Sequence, residues 1–150
     1  MAADQRGPML ARIAQVKGQR LTRLAGEARS AADLAATETE RASAERSAAE
    51  AQRSEARSAF NLMPGCPQAR LWLDKTIAGE IGAVATLADK VARLDLARDA
   101  HGAAVRALDQ HRVRSDLLAE HHRGVRRVEG RRAEDRAEAD MVIRSTGRTL

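Results

Sequence analysis

Four histidines and one cysteine are the residues of this chain whose types suit metal binding or nucleophilic chemistry. His101, His111, His121 and His122 include no pair at i,i+4 spacing with the acidic companion of a helical zinc motif. Cys66 has no positively charged residue beside it that would activate the thiol. We therefore predict no metal site, no cofactor, no small-molecule substrate and no catalytic residue, so that the chain is not an enzyme.

The densest basic tract, "HHRGVRRVEGRRAEDRAEAD", begins at His121. Glu129 and Glu134 dilute its positive charge, and no aromatic residue is interleaved to stack on bases. One interpretation is a solvated helix with i,i+4 pairs such as Arg131 with Asp135. The other is docking against an acidic protein surface, which the formal net charge of +5 also favours.

Composition indicates which elements must carry these residues. Charged residues make up 31% of the chain, hydrophobic residues 43% and aromatic residues 1%, a balance typical of long helices and coiled coils with a thin core. A single cysteine cannot form an internal disulfide, and no apolar run reaches the length of a signal or membrane-spanning segment. The sequence therefore predicts a soluble, cytoplasmic helical protein.

The segment "SAFNLMPGCPQARLWL", residues 58–73, separates two long stretches without proline. The first stretch follows Pro8 and the second follows Pro67. Prolines 64 and 67 disfavour helical conformation in the residues before them, and Gly65 permits a tight bend. We predict an all-α fold, a single long antiparallel two-helix coiled-coil hairpin spanning 1–150. Its first helix covers about 8–60, the turn about 61–67 and a longer, overhanging second helix about 68–145.

Apolar residues at heptad spacing predict the seam between the helices. With Leu21 as an a position, the first helix continues through a three-residue step to Leu24 and then mostly through alanines. Alanine seams allow close approach but bury little area, so this arm needs its partner. The residues predicted to form the seam are Leu21, Leu24, Val84, Leu87, Val91, Leu94, Val105 and Leu108.

Large apolar residues gather around the predicted turn. They could plug the end of the coiled coil, or they could form an exposed knob that anchors a partner, since tryptophan and other large residues are favoured at interfaces. These tip residues are Phe60, Leu62, Met63, Leu71 and Trp72.

An antiparallel hairpin is expected to bring the basic start of the first helix beside the basic end of the second. The residues of this predicted basic end are Arg12, Lys17, Arg20, Arg23, Arg126, Arg127, Arg131, Arg132 and Arg136.

The layout resembles the FliJ/YscO family across the whole chain. The resemblance rests on a basic first helix, a short loop followed by Trp72 in "ARLWL", a longer second helix, and the segment "EDRAEADMVIR" from Glu134 to Arg144. Members of that family are central stalks of flagellar and virulence type III secretion ATPases.

The resemblance implies that the termini enter the centre of a hexameric secretion ATPase and that the tip reaches an export gate protein. It further implies a place at the cytoplasmic base of the secretion apparatus, with escort chaperones as a further candidate partner. Nucleic acid is not the expected partner, because acidic residues are interleaved with the basic ones throughout the chain. The alternative from the residues is a basic coiled-coil scaffold or nucleic-acid-associated protein, whose binding would fall steeply with salt.

Overall fold

Two helices account for the part of the chain that the structure describes. This computed structural model describes the backbone of residues 6–146 and the side chains of 7–141. Helix α1, Arg6–Leu62, has 57 residues, and helix α2, Pro67–Thr146, has 80. No strand occurs in 6–146, and the predicted all-α two-helix hairpin with a longer second helix is confirmed. The side chains that end the Glu134–Arg144 segment lie outside the described set.

Contacts divide the chain into two compact units. Unit 1 joins the start of α1, up to Leu21, with α2 from Ala107 onward. Unit 2 is Thr22–Arg106 and includes the turn between the helices. Each unit is a pair of packed helix segments and is described by itself.

The turn of unit 2 spans Met63 to Cys66. The amide of Met63 donates to the carbonyl of Ala59 at 3.1 Å and closes α1, and the amide of Cys66 donates to the carbonyl of Met63 at 3.0 Å. Pro64 therefore occupies the second position of a β-turn, where its fixed φ is favoured, and Pro67 begins α2, where a missing amide costs nothing.

The structure corrects the role predicted for Gly65. No glycine among the described residues has a positive φ, and a Cβ on Gly65 would meet nothing within 4 Å. The bend therefore does not use the conformational freedom of glycine, because proline and the turn hydrogen bond suffice.

We predict that Gly65→Ala raises the free energy of unfolding by about 0.4–1 kcal/mol, because alanine restricts the unfolded chain and fits the folded turn without strain. Urea unfolding followed by circular dichroism measures the change. A loss of stability would mean that the turn requires glycine after all.

The seam of unit 2 is built mostly of small residues on both helices, with Ala69 and Thr76 of α2 buried there as well. Ala25, Ala42 and Ala56 of α1 are buried, as is Leu94 of α2, and the half-buried positions between them alternate in steps of three and four. No large side chain in 7–141 is fully buried. The core is thin because small residues supply most of one side of it.

Within the two units, four predicted seam residues do face the partner helix. Leu94 and Leu108 are buried, while Leu21 and Leu87 are half-buried. On each helix these residues fall on positions that repeat every seven residues. A heptad can be divided as three then four residues or as four then three, and these positions belong to the seam in both cases.

The other four predicted seam residues are less buried. Leu24, Val84, Val91 and Val105 are 36–46% exposed and flank the seam. The neighbouring positions Ala25, Ala83, Lys90 and Ala104 are the more buried ones. Heptad spacing allows either of the two adjacent positions to face the partner helix. The prediction chose the more apolar residue of each pair. At three of the four places the more buried neighbour is an alanine, which allows closer packing, whereas Lys90 is turned toward α1 by its ion pair with Glu38.

Polar side chains interrupt this seam and are paired across it. Arg53 Nη1 lies 2.6 Å from Glu80 Oε2, and Lys90 Nζ lies 2.7 Å from Glu38 Oε2. Thr39 Oγ1 is 3.3 Å from the carbonyl oxygen of Lys90. From Glu38 to Arg53 the residue number on α1 increases, while that of the partner on α2 decreases from Lys90 to Glu80, so the helices are antiparallel. A slip of one helical turn would separate every pair.

We predict that Glu80→Gln lowers the free energy of unfolding by about 0.5–1 kcal/mol, because the partly buried carboxylate loses its ionic bond to Arg53. Glu55→Gln, at an exposed position of α1, is the matched control. Equal unfolding free energies for the two variants would show that the Arg53–Glu80 pair adds nothing to stability.

Candidate interaction surfaces

The tip residues lie at the end of α1, in the turn and in the first turns of α2. Phe60 is half-buried, while Leu62 and Leu71 are 83% and 70% exposed, and Met63 and Trp72 are exposed as well. The plug interpretation therefore fits Phe60, and the anchor interpretation fits the other four residues. Exposed apolar residues clustered in this way are typical of an interaction site.

An uncharged surface follows the tip along α2, and the sequence analysis did not identify it. Between Ile77 and Ala88 the helix carries one charged residue, Glu80, which is turned toward Arg53 in the seam. A helical segment that is apolar or small all round is normally buried. We call the exposed part of this segment the uncharged face; its members are Ile77, Ala78, Gly79, Ile81, Gly82, Val84, Ala85, Thr86 and Ala88.

The two glycines of the uncharged face have no packing role within unit 2. A Cβ on Gly79 or Gly82 would meet nothing within 4 Å. Each glycine costs about 1 kcal/mol relative to alanine in a helix interior. The signal in the sequence was the presence of a single charged residue, Glu80, in "TIAGEIGAVATLA", in a chain where nearly a third of the residues are charged.

Unit 1 contains a groove of about 380 Å³ between its two helices. Leu10, Ile13 and Leu118 form its apolar walls. Every ionisable side chain that lines it is basic or a histidine, namely Lys17, His111, Arg114 and His122. The groove can therefore accept an apolar group that carries negative charge beside it.

His111 holds the helices of unit 1 together at this groove. Its Nε2 lies 2.9 Å from the carbonyl oxygen of Ala14 and 3.4 Å from Ser115 Oγ. A Cβ on Gly18 would come within 3.2 Å of the same nitrogen. Glycine at position 18 thus makes room for the imidazole, and this histidine has a structural contact.

The residues of the predicted basic end are divided between the two units. Arg12, Lys17 and Arg20 belong to unit 1, whereas Arg23 belongs to unit 2 and pairs with Glu27 at 3.4 Å. The groove shows that residues 10–17 of α1 face residues 111–122 of α2. Arginines 126, 127, 131, 132 and 136 therefore lie beyond the part of α2 that faces α1, because α2 is the longer helix and its surplus length extends past the start of α1.

This last part of α2, residues 123–141, is called the extension below. Every side chain in it is exposed, and only Gly124 is half-buried. Arg123, Arg127 and Arg136 each donate from Nε to the carbonyl four residues earlier in the same helix. Within 113–141 no carboxylate lies within 4.0 Å of a basic nitrogen, so the i,i+4 pair predicted between Arg131 and Asp135 is not formed.

The described side chains offer binding surfaces more readily than reactive groups. In the described part of the chain, no three His, Cys, Asp or Glu residues come together as a metal site requires. The thiol of Cys66 donates to Gln68 Oε1 at 3.2 Å. The pKa of Glu38 is lowered by its hydrogen bond to Lys90 and by the charge of that lysine, which keeps the carboxylate ionised for its cross-helix pair.

Comparisons with protein-family models, curated proteins and solved structures return no match to this chain. Neither described helix contains a stretch apolar enough to cross a membrane.

Proposed function

We propose that this chain is the non-enzymatic central stalk of a type III secretion system and couples a hexameric export ATPase to an export gate protein. The observation that carries the proposal is the presence of two surfaces of different chemistry. Exposed large apolar residues, including the chain's single tryptophan, lie around the turn in unit 2, and unit 1 has a groove whose ionisable lining residues are two basic side chains and two histidines. A chain with one surface of each kind is suited to joining two different partners.

The gate contact is assigned to the tip and the uncharged face. Trp72 and Met63 are exposed large side chains of the type that anchor interfaces, and Ile77 and Ile81 continue the apolar surface along α2. Gly79 and Gly82 would let a partner's backbone approach α2 closely. Escort chaperones could use the same helical surface in exchange with the gate.

The ATPase contact is assigned to unit 1. Lys17 and Arg114 at the groove, with Arg126 and Arg127 on the extension, offer positive charge to an acidic ring lumen. Most of this charge is exposed, so its contacts would be weak and screened by salt. Weak, distributed contacts permit a stalk to turn inside a ring, with the cytoplasmic base of the secretion apparatus as its location.

We expect the double substitution Trp72→Ala and Met63→Ala to weaken binding to the cytoplasmic domain of the gate protein by at least about tenfold, as loss of interface anchors does. Isothermal titration calorimetry measures the affinity, and far-UV circular dichroism should show unchanged helicity. Leu96→Ala is the control, since Leu96 is also exposed on α2 but lies outside the tip and the uncharged face. Unchanged affinity, or a loss of helicity in the double variant, would count against the anchor role.

Charge reversal by Arg126→Glu and Arg127→Glu should reduce recovery of the ATPase in a pull-down, and the remaining binding should depend less on salt. Arg57→Glu, on the exposed surface of unit 2, is the control. Equal recovery of the ATPase with the double variant and with the control would show that the extension does not contact the ATPase. The same pair of proteins also tests the nucleic-acid alternative, which requires duplex DNA binding that falls steeply with salt and is lost on reversal.

A further inference from the structure

The extension carries a heptad stripe that no described residue of α1 covers. Val125, Val128, Arg132, Asp135 and Ala139 follow one another in steps of three and four, so they share one face of α2. All five are exposed. Among the described residues α1 begins at Arg6, and the groove sets residues 10–17 of α1 against 111–122 of α2, so no described residue of α1 lies against this stripe.

We propose that the extension pairs with the extension of a second copy of this chain, antiparallel, about a two-fold axis between Ala133 and Glu134. In this register Val128 packs against Ala139 of the other copy, and Arg132 meets Asp135. The flanking positions also match in charge: Glu129 lies opposite Arg136, and Arg131 lies opposite Glu138. Each pairing occurs twice because the arrangement is symmetric.

The choice of a second copy as the occupant rests on charge complementarity. From Arg123 to Arg132 the extension has five arginines and one acidic residue, whereas from Glu134 to Asp140 it has four acidic residues and one arginine. In an antiparallel pair the basic half of each extension therefore lies against the acidic half of the other. These charges are free to pair, since no ion pair forms within 113–141 of the described chain.

Charge also selects the antiparallel direction. In a parallel pair in register, Arg132 would face Arg132 and Asp135 would face Asp135 across the seam, and Arg131 would lie beside Arg136. Like charges at these positions repel. The same residues are attractive in one direction and repulsive in the other.

The expected dimer is weak. The extension is about 28 Å long at a rise of about 1.5 Å per residue, and a single helix pair of that length is well below a standard interface in area. We expect a dissociation constant on the order of 10–500 μM at low salt, weakening as salt is added. This inference concerns the free chain and does not depend on the proposed stalk function.

A charge swap in the full chain tests the pairing. Arg131→Glu and Glu138→Arg, made singly, each replace two attractive contacts by two repulsive ones and should raise the dissociation constant by at least about tenfold. The two substitutions together restore opposite charges and should return it to within about threefold of the original. Sedimentation equilibrium at about 5–500 μM gives the constants, and circular dichroism checks that helicity is retained.

Distances between spin labels test the direction. In a Cys66→Ser background, a label at Ala133→Cys should lie within about 20 Å of its counterpart, because the symmetry axis passes beside it. A label at Glu120→Cys should be separated by about 40 Å, from 27 residues of offset. Short distances at both sites would show a parallel dimer and overturn the proposal. The proposal would also be overturned if the original chain stays monomeric to about 500 μM at low salt. A charge-swapped double variant that dimerises no better than the single variants would overturn it as well.

Discussion

The close approach of two helices along a seam of small residues is the constraint on which the rest of this structure depends. Alanines on α1, with Ala69 and Thr76 on α2, let the helices approach closely, and the result is a core with little apolar area. A seam with so few large side chains specifies its register poorly by shape alone. The cross-helix pairs Arg53–Glu80 and Lys90–Glu38 supply what shape does not, since they form in one alignment only.

The thin seam also explains where the large apolar residues lie. Trp72, Leu71, Ile81 and Leu62 find no space between helices that approach closely, so they remain on the surface. These four lie around the turn and on the uncharged face, and further exposed apolar residues, such as Ile13 and Leu117, lie in unit 1. Surface chemistry of this kind is suited to binding, and it supports a function based on partners.

Unequal helix length has a second consequence. The charged side chains of the extension are exposed. Its first half carries a net positive charge and its second half a net negative charge. A lone helix of this length is only marginally stable from propensity and local pairs. Pairing with another surface, whether an acidic partner or a second copy, would stabilise it.

The amino-acid sequence by itself determined the two helices, the turn and their antiparallel pairing. Proline is absent from both arms, the rare residues of 58–73 fall between them, and heptad spacing is independent of any partner. The ends of α1 and α2 differ from the predicted ones by only a few residues. The sequence also identified Leu94 and Leu108, which are buried, and Met63 and Trp72, which are exposed, as residues of interest.

Only the tertiary structure decided which residues meet. It placed Ala25 in the seam instead of Leu24, and Lys90 instead of Val91, because the depth available at each position depends on the side chain across from it. It likewise set the alignment of the helices, which brought residues 10–17 opposite 111–122 and left arginines 126–136 beyond them. Periodicity along one helix carries no information on either point, since both are properties of the pair.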